Sequence, residues 1–103
     1  MIDITFPTMT ASDVIGWSKR GVFKFVRLED GSFKFLDMDE YPLVNHKDML
    51  DANQLAIAGG MIAIPERGII HLLSDRSDSL GVSCHPRDLA ALRYVLKSKI
   101  VNK

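Results

Sequence analysis

The chain has 103 residues, 47% of them apolar and 25% charged, with 13 basic residues balanced by 13 acidic ones. This length suits one domain, residues 1–103, with its own core, and the zero net charge argues against broad attraction to nucleic acid or an anionic membrane. The lone Cys84 excludes an intrachain disulfide and any CxxC motif, no apolar run approaches the roughly 20 residues of a membrane helix, and the start Met1-Ile2-Asp3-Ile4 lacks the basic region of a signal peptide. The expected location is the cytoplasm, with Cys84 reduced.

Ile2-Asp3-Ile4-Thr5-Phe6 alternates apolar and polar residues and predicts a first strand, ended by Pro7. Thr10 or Ser12 can cap a short helix carrying Val14, Ile15 and Trp17, although Gly16 weakens it. Two β-rich runs, residues 22–28 and 33–38, then flank Asp30-Gly31, a pair suited to a two-residue type I′ turn. That turn sets Leu28 opposite Phe33, Val26 opposite Phe35 and Lys24 opposite Asp37. Phe23 and Phe25 would meet Met38 and Leu36 on the other face. Both faces of the hairpin carry apolar groups, so neither is expected to lie fully in water. Lys24 either pairs with Asp37 across the strands or points into a pocket.

Tyr41-Pro42 breaks the second strand. Asn45 can cap a helix through Met49, Leu50 and as far as Leu55, with Asp48 in its first turn. His46 would stand at that N-terminus, which disfavours imidazolium and predicts a neutral ring able to act as a base, or else an ordinary capping residue. Residues 55–64 read as a strand in which Gly59-Gly60 marks a bulge or a close approach. Pro65-Glu66-Arg67-Gly68 turns the chain, and residues 69–73 return antiparallel. Residues 74–81 form a Ser-, Asp- and Gly-rich loop, followed by a short extended stretch, residues 82–84. Pro86 opens a helix to Ser98 with Leu89, Leu92, Val95 and Leu96 buried and Lys97 and Lys99 at its end. A loop rich in hydroxyls and backbone N–H groups beside a helix start can seat an anion, or simply connect two elements. The fold class is α+β, a mixed and mainly antiparallel sheet of about five or six strands flanked by two helices.

Several chemistries are excluded. Cys84 has Ala90 six positions on, so the CxxxxxR nucleophile of cysteine phosphatases is absent. His46, His71, Cys84 and His85 lack metal-ligand spacing, and no metal or other cofactor is expected. There is no GxxxxGK[ST], no GxGxxG and no nucleophile elbow.

Taken in order, the pieces resemble the protein histidine phosphatase (Janus/Ocnus) family over roughly residues 21–100. Gly21-Val22-Phe23-Lys24-Phe25-Val26 is similar to that family's Gly-Val-Phe-Lys-Tyr-Val strand. His46-Lys47-Asp48-Met49-Leu50-Asp51 is similar to the segment that opens with its catalytic histidine. Gly59-Gly60 falls at its glycine cluster and Ile70-His71 at its Ile-His strand. Ser77-Asp78-Ser79-Leu80-Gly81 with His85 resembles its Ser-x-x-x-Gly phosphate loop and the histidine beyond. The resemblance implies metal-independent dephosphorylation of phosphohistidine, and of phospholysine, in proteins. It makes His46 the base or the phosphoryl acceptor and sets Lys24 beside the phosphate. It gives the phosphoryl oxygens to the N–H groups of Ser77, Asp78 and Ser79 and the Ser77 hydroxyl. The implied partner is a phosphorylated protein or a small phosphoramidate, with neither nucleic acid nor membrane.

The chain departs from that pattern where Met61 stands in place of an arginine after the glycine cluster, and where Asp75 and Asp78 flank the loop near Arg76. Three functions are therefore compatible with the sequence. One is a phosphohistidine phosphatase. Another is a domain of the same fold that binds phosphate or a phosphoprotein without turnover. The third is a plain interaction module, for which an open sheet edge would allow a homodimer.

Overall fold

A computed structural model describes residues 8–16 and 21–101. The expected first strand at residues 2–6 and Trp17 lie outside the described residues. The first helix is α1, Ala11–Gly16. Of its two candidate caps, Thr10 serves: the Asp13 N–H donates to Thr10 Oγ1 (3.1 Å), and the Thr10 N–H donates to Asp13 Oδ2 (2.9 Å).

Five strands form the main sheet: β1 (Gly21–Leu28), β2 (Phe33–Asp37), β3 (Ala56–Glu66), β4 (Ile69–Ser74) and β7 (Lys99–Val101). Their order is β2-β1-β3-β4-β7, antiparallel except for the parallel β4–β7 pair. The short strands β5 (Arg76–Ser77) and β6 (Val82–Ser83) make a separate antiparallel ribbon, and α2 spans Pro86–Leu96. The fold is thus α+β around a mixed, mainly antiparallel sheet.

The hairpin register differs from the one expected. The Leu28 N–H donates to Ser32 O and the Gly31 N–H to Leu28 O, both at 2.8 Å, with Gly31 at φ +91°. The loop therefore has three residues, a turn followed by a glycine in the left-handed region, instead of the two-residue type I′ turn. One extra loop residue slides the pairing by one: Phe25 faces Phe35, Lys24 faces Leu36 and Asp37 faces Phe23. The expected Lys24–Asp37 pairing does not form.

That slip sorts the side chains. Phe23, Phe25, Phe33 and Phe35 share one face with Ile62, Ile70, Leu92, Leu96 and Val14. The rings of Phe25 stand 6.2 Å from Phe33 and 6.5 Å from Phe35. Full burial of each such ring stabilises by about 2–3 kcal/mol. Both helices pack on this face. The opposite face holds a second core of Val26, Leu28 and Leu36 under Val44 and Met49. Apolar groups on both hairpin faces are buried, as the sequence leads one to expect.

Two helical expectations are corrected. The helix after Asn45 is a single 3-10 turn, His46–Met49, and leaves into extended chain at Leu50. Lys34 Nζ takes the Met49 carbonyl (3.1 Å) and lies 3.4 Å from Asp51, contacts that tie the extended chain beyond the turn to β2. At the other end α2 stops before Ser98. Lys97 adopts φ 50°, and the Ser98 N–H returns to Arg93 O (3.1 Å), closing the helix as a Schellman turn. Residues 99–101 then become β7, so Lys99, expected at the helix end, instead opens a strand that the sequence pattern does not announce.

Candidate functional site

The Asn45 N–H donates to Asp48 Oδ2 (3.1 Å), which fixes the start of the 3-10 turn and sets the His46 side chain inward against β3. His46 is 9% exposed. Its Nε2 lies 2.7 Å from Gly60 O. A carbonyl can only accept, so Nε2 carries the proton and Nδ1 holds the lone pair of the neutral ring. Burial, aided by the charge of Lys24, holds this imidazole below its ordinary value of 6.5, against the opposing pull of the Gly60 carbonyl. The neutrality expected from sequence has this cause rather than a helix dipole, since the turn is only one turn long.

The glycine pair allows this approach. A Cβ on Gly59 would stand 3.2 Å from Ser77 Cβ and 3.6 Å from His46 Cδ2. Gly59 is therefore the thin wall against which His46 and Ser77 both pack. A Cβ on Gly60 would fall 2.3 Å from Ser74 O and 2.9 Å from Phe25 Cζ, so no side chain fits there.

Ser77 is 2% exposed and pairs with Val82 in the β5–β6 ribbon. Its Oγ lies 3.4 Å from Ser79 Oγ, which also accepts the Lys47 N–H at 3.4 Å. The loop is thereby latched to the turn that carries His46. It closes as a tight hairpin in which the Gly81 N–H donates to Ser77 O (2.9 Å) with Gly81 at φ +65°. Among the described residues, the N–H groups of Asp78 and Ser79 donate to no protein acceptor. The Asp78 side chain is exposed on the turn, and no contact among the described residues ties it to the other four candidates.

Lys24 lies near enough to depress the His46 imidazole, and its Nζ donates to the Val44 carbonyl just before the turn. Its cross-strand neighbour on β3 is Met61. The residue that replaces the expected arginine thus stands directly beside the one cation of this constellation. Arg76 does not compensate: exposed, it lies 3.4 Å from Asp75 Oδ1. Cys84 donates through Sγ to Gly59 O (3.4 Å), and burial pushes its thiol up to about 11, so it stays protonated behind the site. His85 caps α2 through its backbone N–H, which donates to Asp88 Oδ2 (2.8 Å), and His71 sits on β4 opposite Ala63.

The structure thus gathers His46, Lys24, Ser77 and Ser79 around Gly59-Gly60. Sequence reasoning missed the Gly60 carbonyl as the group that orients His46. The only signal for it was the glycine pair itself, because a backbone acceptor carries no residue label. Among the described residues, no group of three or more His, Cys, Asp and Glu side chains is placed to hold a metal ion, and no helix is long and apolar enough to cross a membrane. Compared with protein-family models, curated proteins and solved structures, the chain matches none.

Proposed function

We propose that this chain is a metal-independent, cytoplasmic phosphatase that hydrolyses the P–N bond of phosphohistidine in proteins or of a small phosphoramidate. The observation that carries the reading is the buried His46 ring with Nε2–H on Gly60 O and a lone pair on Nδ1. In this reading Nδ1 takes a proton from water as the oxygen attacks phosphorus. The P–N bond breaks, its electron pair stays on the leaving nitrogen, and His46 returns the proton there. Lys24 balances phosphoryl charge, and the Asp78 and Ser79 N–H groups, with the Ser77 hydroxyl, donate to its oxygens. A P–N bond is labile enough that positioning contributes much of the rate.

The test is phosphate release from phosphoramidate and from a phosphohistidine peptide with EDTA present. His46→Ala should lower the rate by about 10²–10⁴-fold and Lys24→Ala by less. Full activity in His46→Ala would remove the proposed base.

A second reading, phosphate binding without turnover, is favoured by Met61 beside Lys24 and by the pairing of Arg76 with Asp75. It expects phosphate to shift the amide signals of residues 77–81 while neither compound is hydrolysed.

A further inference from the structure

A second feature lies on the helical side of the sheet, away from His46. A groove of ≈ 910 Å³ runs between the start of α1, the β3–β4 turn at Gly68 and the end of α2. Arg93, Lys97 and Lys99 line it, and among the described residues no aspartate or glutamate does. In a chain of zero net charge this is a local concentration of one sign. Elsewhere Arg27 is paired with Asp88, Lys34 with Asp51 and Arg76 with Asp75. The three groove cations have no carboxylate partner among the described residues.

The helix end does not neutralise them. The carbonyls of Arg93 and Tyr94 accept the Ser98 and Lys97 N–H groups, and Leu96 O accepts Ser98 Oγ. Ala11, Ala90 and Val95 add apolar lining beside Ser12 and Ser98, and Tyr94 in the lining stands 84% exposed. Three cations with apolar lining and an exposed tyrosine match a short acidic peptide that carries an apolar residue. Three charges at one groove are too few to track a nucleic-acid backbone with useful affinity near physiological salt.

We propose that this groove docks an acidic segment of a partner protein through Arg93, Lys97 and Lys99. The proposal is independent of the phosphatase reading. The contacts are exposed, so the binding is weak and salt-sensitive.

The experiment is an NMR titration of the full chain with an acetylated peptide of alternating glutamates around one leucine. A matched lysine peptide and a short oligouridylate serve as comparisons. The acidic peptide should shift the amides of Gly68 and residues 90–99. Arg93→Glu/Lys99→Glu should weaken it by about tenfold or more, and Arg93→Gln/Lys99→Gln by less. Salt should weaken it further. Shifts mapping elsewhere, equal binding by the charge-reversed variant, or tighter binding of the oligouridylate at the same amides would each overturn the proposal. The wild-type map decides even where a variant fails to fold.

Discussion

The Gly60 carbonyl dictates which nitrogen of His46 carries the proton: it accepts from Nε2 at 2.7 Å and leaves Nδ1 as the lone-pair atom. Long-range ¹H–¹⁵N correlation spectra should therefore show the Nε2–H tautomer at pH 7. Burial, with Lys24 adding to it, depresses this ring's pKa, so phosphate release should rise with pH along a limb centred below 6.5 and then level off. The same shift links to stability. The unfolded chain binds the proton more readily, so the stability this neutral ring contributes is fully present above pH 6.5. It is lost as the pH falls from there through the lower folded value. Urea midpoints across that window, compared between wild type and His46→Gln, check it.

Met61 faces Lys24 across the β1–β3 ladder. Met61→Arg should place a second cation beside the first and tighten phosphate binding about tenfold, the scale of one charge-assisted hydrogen bond. Calorimetric titration with inorganic phosphate measures it. Unchanged affinity would mean that the position faces away from the anion.

The two glycines should respond differently. Gly60→Ala forces a Cβ to within 2.3 Å of the Ser74 carbonyl, a backbone atom inside the sheet, and should prevent folding or lower the midpoint severely. Gly59→Ala meets Ser77 Cβ at 3.2 Å and His46 Cδ2 at an ordinary 3.6 Å, so it should fold while displacing Ser77 by a few tenths of an ångström. Its signature is a loss of activity or phosphate affinity larger than its loss of stability.

Arg27 ties the hairpin to α2. It donates to Asp88 at 2.8 Å and to Gly31 O at 3.1 Å, with its guanidinium 5.5 Å from the Phe33 centroid. Burial pushes the Asp88 carboxyl up, yet the Arg27 guanidinium and the His85 N–H together hold it below the ordinary 3.8. Arg27→Met leaves that carboxylate buried with only its backbone donor and should cost about 3 kcal/mol by urea unfolding. The stability contributed by Asp88 is present above pH 3.8 and lost as the pH falls through its lower folded value.

Much of this architecture is legible in the chain. Asp30-Gly31 marked the hairpin, Pro86 the start of α2, and Gly59-Gly60 the place where other groups approach closely. These signals are local: a turn needs a residue that tolerates positive φ, a first helical turn tolerates proline, and a crowded backbone needs the absence of a Cβ. The alternation of apolar groups on both sides of residues 22–36 likewise determined that this hairpin lies between two cores.

What needed the tertiary structure is what depends on partners distant in sequence. Asp-Gly is compatible with a loop of two or three residues, and the choice of three, which brings four phenylalanines to one face, answers to packing with Leu92 and Leu96. Residues 99–101 became a strand because β4 offered an edge, and three residues carry too short a pattern to announce it. Lys24 lost Asp37 and gained the Val44 carbonyl through the same one-residue slip. The lone-pair nitrogen of His46 was set by a main-chain oxygen 14 residues away, an atom that every residue type supplies alike and that only the folded sheet brings within reach.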